Sequence, residues 1–266
     1  MSVVPAHGFV QAGGLRLHHL DFGGKGRPIV CLHGVCGHAW MWNDVAPQLT
    51  GVGRVTSLDM RGHGDSQWSP AHEYTTEDHA GDLDAVLADL GAEEVDLVGL
   101  SWGGLVSMSY AARHPGSVRR LVIVDVPPSF TQSETDLLPR PAAFGTHDEV
   151  VEWERGANPR ASEEMLQVMA RFGTRPGGGG LARKHDPYFL QRWPFRSDDR
   201  WAALESLELP VMLVHAEQSY VLSAEVAERM AEVMRNGRLV RVQNSGHHVP
   251  VENPGALAEA LTEFLS

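Results

Sequence analysis

Short continuous apolar runs recur along the chain, each ended by a glycine, a proline or a polar residue and followed by an amphipathic stretch. They occupy residues 28–32, 54–58, 95–98, 121–124, 211–214 and 238–242. A strand with one wet face alternates apolar and polar residues, so a run without alternation suits a strand buried on both faces. Helical periodicity fills stretches between them, at 76–90, 102–113, 223–235 and 254–265. The first of these opens with Thr75, Thr76, Glu77 and Asp78, the spacing of a capping box, and Gly91 stands where a helix should stop. Strands alternating with helices imply an α/β fold whose central sheet is mostly parallel and flanked by helices. Residues 15–20 alternate instead, as an antiparallel hairpin at the start of the sheet would require.

Residues 127–208 break this rhythm. Pro127, Pro128, Pro139, Pro141 and Pro159 fall here, with the run Pro176-Gly177-Gly178-Gly179-Gly180. Helical patterns are visible at 147–155 and 162–172, and no buried strand is. This is far more chain than a plain βα connection uses. The expectation is a core made of residues 1–126 and 209–266, with 127–208 inserted as a helical cap over the C-terminal edge of the sheet. The glycine run reads either as a mobile loop or as a surface linker.

Composition removes several function classes. The 266 residues carry a formal charge of −12 with no long Lys/Arg run, the opposite of a nucleic-acid or anionic-membrane footprint. No apolar stretch has the length of a membrane span, and the first ten residues lack the basic and apolar regions of a signal peptide. A cytoplasmic location is the expectation. Two cysteines, Cys31 and Cys36, cannot build a disulfide framework. No H-E-x-x-H occurs, and His18 and His19 on one strand would point to opposite faces, so no metal and no cofactor are expected. The partner is a small-molecule substrate; the chain could be a monomer or a homodimer.

Gly99-Leu100-Ser101-Trp102-Gly103 matches G-x-S-x-G, and it follows an apolar strand and precedes an amphipathic helix. A chain turning sharply at Ser101 needs small residues two positions to either side. The hydroxyl is then presented at a helix N-terminus, where developing negative charge is stabilised. Serine is a weak nucleophile near neutral pH and needs a base oriented by an acid. The best-placed base lies in Ser245-Gly246-His247-His248-Val249-Pro250-Val251-Glu252-Asn253-Pro254, after the last apolar run and before the last helix. His247 and His248 are adjacent, so only one can serve.

With these pieces in order, the chain resembles the α/β-hydrolase superfamily over nearly its full length. His33-Gly34 is similar to the loop that supplies half of that family's oxyanion hole. Asp59-Met60-Arg61-Gly62-His63-Gly64-Asp65-Ser66 matches its D-x-R-G-x-G-x-S turn, which reads as a brace for the loops below the site. Gly246-His247 with Glu252 and Pro254 resembles its G-H-x4-E-x-P segment, which assigns the base role to His247. The resemblance also implies the backbone N–H groups of Val35 and Trp102 as oxyanion donors.

The acid departs from the family pattern. Most members carry an aspartate shortly after the strand that precedes the penultimate helix, where this chain has Ser219 and then Tyr220. Neither supplies a permanent negative charge. A minority of relatives, among them zearalenone lactone hydrolases and some haloalkane dehalogenases, take the acid from the end of the strand before the cap. Asp125 stands there. Glu217 is the second candidate, and a strand-end aspartate can also merely cap the following turn.

The implied chemistry is hydrolysis of a carboxylic ester or lactone through an acyl-enzyme, by Ser101, His247 and Asp125. Serine at position 101 argues against dehalogenase and epoxide hydrolase chemistry, which in this fold needs a carboxylate nucleophile. The same resemblance leaves room for a C–C bond hydrolase, a cofactor-free dioxygenase with the histidine as base, a perhydrolase, or a weakly hydrolytic ligand receptor. Trp40, Trp153, Tyr188 and Trp193 are candidates for an apolar substrate pocket, and Cys36 for a small residue beside it. Arg171, Arg175, Arg183 and Lys184 would suit either an acidic substrate or a solvated surface.

Overall fold

The computed structural model describes residues 4–130 and 140–266. Residues 1–3, within the stretch read for a signal peptide, and Pro139 lie outside the described residues. In chain order the strands are β1 (Ala6–Ala12), β2 (Leu15–Gly23), β3 (Pro28–Leu32), β4 (Arg54–Leu58), β5 (Val95–Leu100), β6 (Val118–Val124), β7 (Ala143–Phe144), β8 (Thr174–Gly177), β9 (Gly180–Arg183), β10 (Val211–Ala216) and β11 (Gly237–Val242). The helices are α1 (Ala46–Leu49), α2 (Thr76–Asp89), α3 (Trp102–Arg113), α4 (His147–Ala157), α5 (Glu163–Gly173), α6 (Trp201–Ser206), α7 (Ala224–Val233), α8 (Val249–Glu252) and α9 (Pro254–Leu265).

Eight strands form one sheet in the order β1-β2-β4-β3-β5-β6-β10-β11. The β1–β2 and β2–β4 pairs are antiparallel, and the other pairs are parallel. The unalternated runs are explained by two cores, one on each face. Leu97, Leu121, Ile123 and Leu213 point into one with α2 and α3, while Val98, Val122, Val124 and Val214 point into the other with α1 and α9. Each strand must therefore be apolar at both parities. Thr75 caps α2 through its hydroxyl and Asp78 answers at the Thr75 N–H, completing the capping box. Gly91 follows with φ +64°, a left-handed stop. Among the described residues no helix is long and apolar enough to cross a membrane.

Between β6 and β10 the chain leaves the sheet. Its exit and return are tied together, Arg200 N–H donating to the Pro128 carbonyl at 2.8 Å. Here α4 and α5 pack around a small core of Phe144, Val150, Val151, Leu166 and Ala170. This segment also holds a three-stranded antiparallel sheet, β7-β9-β8, which the apolar pattern did not reveal because its strands are two to four residues long and mostly exposed or half-buried. The glycine run, read as a mobile loop or a surface linker, joins β8 to β9. It is a hairpin tip, with Gly178 and Gly179 at φ +65° and +82°, which a tight primed turn demands.

Candidate active site

Ser101 sits between β5 and α3 at φ 54°, ψ −125°, a strained backbone for a residue with a side chain. The flanking glycines have a steric cause. A Cβ on Gly99 would lie 2.2 Å from the Gly103 carbonyl oxygen, and one on Gly103 would lie 2.6 Å from the Leu32 and His33 carbonyl oxygens. The elbow can therefore press α3 against β3 and β5 only if both positions lack side chains.

The loop after β3 faces the serine. A Cβ on Gly34 would meet Ser101 Cβ at 2.9 Å. Among the described residues, neither the Val35 N–H nor the Trp102 N–H donates to a protein acceptor, as oxyanion donors must be left to do. Two neutral histidines hold this loop. Met60 N–H donates to His33 Nε2 at 3.0 Å, so His33 carries its proton on Nδ1 and donates to the Gly34 carbonyl at 2.7 Å. Likewise Cys36 N–H donates to His63 Nε2 at 3.1 Å, and His63 Nδ1 donates to the Arg61 carbonyl at 2.9 Å. Burial holds both imidazoles below the usual histidine range, His63 well below. Asp59 accepts from Ala39 N–H at 2.6 Å, Asp65 N–H at 2.9 Å and His18 Nδ1 at 2.7 Å. Burial pushes its carboxyl up, but these bonds and the charge of His18 outweigh it and hold Asp59 at about 2. The Asp59–Ser66 turn thus braces the loop; in the cluster of His18, Asp59 and Asp65, the first two side chains belong to that brace and the Asp65 carboxylate pairs with Lys184.

His247 follows β11, on a loop fixed by its own sequence: Glu252 folds back to accept from the Gly246 N–H. His247 Nδ1 lies 2.8 Å from Asp125 Oδ2. Asp125 follows β6 with φ +53°, fully buried, its N–H still extending the ladder to the Val214 carbonyl at 2.8 Å. Its Oδ1 accepts from Ala216 N–H at 2.9 Å and its Oδ2 from the Ser219 hydroxyl at 2.6 Å. The Ser219 oxygen accepts in turn from Val221 and Leu222 N–H, so its proton has one direction left. Glu217 is exposed and accepts from Asn244 N–H at 3.0 Å, away from His247. His248 turns elsewhere, donating through Nδ1 to Asn158 Oδ1 at 2.6 Å.

Comparison with known proteins agrees with this architecture. A family model described as alpha/beta hydrolase fold matches residues 27–155, and one described as TAP-like protein matches residues 184–266. The crystal structure of E-2-(acetamidomethylene)succinate hydrolase superposes with a TM-score of 0.90 at 24% identity, covering 98% of this chain and 99% of that one. The chain belongs to the α/β-hydrolase superfamily. Among sequence relatives, N-formylmaleamate deformylase of Pseudomonas putida is 28% identical over 271 residues, covering 100% of this chain and 98% of that protein. Esterase Rv0045c of Mycobacterium tuberculosis is 28% identical over 279 residues, covering 96% and 88%.

Within this α/β-hydrolase a cavity opens beside the loop that follows β3. Gly34, Val35 and Cys36 line it from the core, and Trp153, Glu154 and Arg183 from the segment between β6 and β10. Of the aromatic candidates, Trp153 lines this cavity and the other three do not. Trp40 stacks on Phe172 with centroids 3.7 Å apart, Tyr188 stacks on His72, and Trp193 donates to the Phe189 carbonyl and stacks on Phe195. Of the basic candidates, Arg183 reaches the cavity. Lys184 pairs with Asp65, and Arg171 and Arg175 lie over Phe172 and Trp68. The sequence reading missed Ser219's bond to Asp125, the His33 and His63 braces, and Arg140, Glu154 and Asn158 in the cavity wall. Only the vacant acid position hinted at the first.

Proposed function

We propose that this chain is a serine hydrolase that cleaves a carboxylic ester or lactone through an acyl-enzyme, with Ser101 as nucleophile, His247 as base and Asp125 as acid. The observation that carries the reading is the 2.8 Å bond from His247 Nδ1 to a buried carboxylate that accepts two further hydrogen bonds. Nδ1 is thereby the protonated nitrogen, and the Nε2 lone pair is the one free to act.

In the proposed cycle His247 Nε2 takes the Ser101 proton as Oγ attacks the substrate carbonyl. The N–H groups of Val35 and Trp102 hold the oxyanion, each worth about 3 kcal/mol of barrier. His247 then returns the proton to the leaving oxygen, and water activated by the same nitrogen hydrolyses the acyl-enzyme. Asp125 keeps its charge throughout and stabilises the imidazolium. We further propose that residues 127–208 act as a cap, since their helices and short sheet close one side of the cavity. The names of the relatives, a deformylase and an esterase, agree with acyl transfer.

The test is intact-mass labelling with a fluorophosphonate, with peptide mapping, on wild type and His247→Ala. One adduct on Ser101 that is lost in the variant supports the reading. A folded protein that takes no label overturns it, and base-catalysed oxygenation and ligand sensing would then be assayed.

A further inference from the structure

The cavity beside the oxyanion loop contains cationic donors that the described residues do not satisfy. Arg183, on β9, is 7% exposed. Its Nε donates to the Pro141 carbonyl at 2.9 Å, while its Nη1 stands 3.5 Å from Glu154 Oε1, too long for a strong charged hydrogen bond. Its Nη2 is buried with no partner among the described residues, and its guanidinium lies over the Trp153 ring at 4.0 Å. Arg140 brings a second guanidinium to the cavity, 5.9 Å from the Trp153 centroid, and its Nε is likewise buried and unpartnered among the described residues.

Nearby groups do little to offset this charge. Glu154 is the one carboxylate among the described residues of the wall. Burial pushes its carboxyl up, against the pull of Arg183, and its Oε2 is already used by Asn158 Nδ2 at 3.3 Å. His38 and His248 stay neutral, because burial holds both down, His38 to about 4. Both guanidiniums draw the Cys36 thiol down, against the larger upward push of burial. In a chain with formal charge −12, one buried and one half-buried arginine against one carboxylate are conspicuous. A buried donor without an acceptor is unfavourable, and a carboxylate is the planar two-oxygen acceptor that fits a guanidinium fork.

We propose that this cavity is a carboxylate subsite, in which Arg183 and Arg140 bind a free carboxylate of the substrate while its acyl carbon lies at Ser101. The substrate class is then an acyl compound that is also an acid. The inference rests on the serine-hydrolase reading for its chemistry, although the binding site itself needs no turnover.

The test has a binding arm and a kinetic arm. By calorimetry, glutarate is expected to bind wild type at least tenfold more tightly than it binds Arg183→Gln, and glutaramide to show no such difference. Glu154→Gln, which removes the competing carboxylate, is expected to tighten glutarate binding about threefold; it supplies the decisive sign should Arg183→Gln fail to fold. In the kinetic arm, wild type is expected to favour mono-p-nitrophenyl glutarate over p-nitrophenyl butyrate at least tenfold in kcat/KM. Arg183→Gln should lower that ratio through KM. Absent glutarate binding, equal binding of inorganic phosphate, or weaker binding in Glu154→Gln overturns the subsite. If neutral ester is hydrolysed but glutarate does not bind, the hydrolase reading survives alone. If glutarate binds through Arg183 while neither ester nor fluorophosphonate reacts, the subsite survives alone.

Discussion

Exchanging Asp125 for asparagine tests the proposed acid directly, and the hydrogen bonds around it set the expected size. Oδ1 faces the Ala216 N–H at 2.9 Å, and Oδ2 faces the Ser219 hydroxyl at 2.6 Å and His247 Nδ1 at 2.8 Å. An asparagine offers one accepting end and one donating end. An amide nitrogen at the Oδ1 place meets an N–H. At the Oδ2 place it meets a hydroxyl whose oxygen already accepts two N–H groups, and it requires His247 Nδ1 to become an acceptor. The ring proton then moves to Nε2, where it blocks abstraction of the Ser101 proton. The corresponding exchange in a serine protease lowers turnover about 10⁴-fold, or roughly 5 kcal/mol of barrier. A loss of that order in kcat/KM on a p-nitrophenyl ester is expected here, with Glu217→Gln within about twofold of wild type. Ser219→Ala should cost about tenfold, one charged hydrogen bond. Asp125→Asn combined with Ser219→Asp should regain at least tenfold over Asp125→Asn alone, because a carboxylate at 219 starts 2.6 Å from the lost oxygen. An Asp125→Asn enzyme within tenfold of wild type, with Glu217→Gln the more damaged, would refute the reasoning.

Other perturbations follow from the same geometry. His63→Ala removes the acceptor for Cys36 N–H and should lower kcat about tenfold by loosening the Val35 peptide, read together with a slower fluorophosphonate labelling rate. Gly103→Ala puts a Cβ 2.6 Å from two backbone carbonyl oxygens, an overpacking of roughly 1–3 kcal/mol, and the melting temperature should fall by roughly 5 °C. His38 titrates at about 4 when folded and near 6.5 when unfolded, so the unfolded chain takes up its proton first as pH falls. About 3 kcal/mol of stability should therefore be lost between pH 6.5 and pH 4 through this group, and denaturant midpoints of His38→Gln should change less over that range.

Much of the fold was legible because the sheet is buried on both faces. Runs 28–32 and 54–58 match β3 and β4 end to end, and 102–113 and 254–265 match α3 and α9. Short elements without a burial signature were not legible: β7, β8 and β9 are too brief and too exposed to carry a period. At the site, Ser101 was marked by its glycines and His247 by Glu252. The cavity was not legible because its members come from separate elements. Arg140, Glu154, Arg183 and His248 share no spacing, and an arginine on a short amphipathic strand reads the same whether it faces solvent or Trp153.

The position of Asp125 has a simple geometric basis. β6 and β10 are parallel neighbours paired in register, Val124 opposite Val214. Asp125 comes one residue after Val124, and its carboxylate reaches across to the end of β10, accepting from the Ala216 N–H at 2.9 Å and from the Ser219 hydroxyl at 2.6 Å. From the β6 side the chain must bend sharply, and Asp125 does so at φ +53° while still bonding to the Val214 carbonyl. A second carboxylate at position 219 would be disfavoured, since two anions in contact would force one to take a proton. That position needs a donor instead. Ser219 fits because its oxygen is fixed by two N–H groups of its own loop, leaving the hydroxyl proton for Asp125 Oδ2. On this reasoning the serine at 219 and the aspartate at 125 work as one hydrogen-bonded unit.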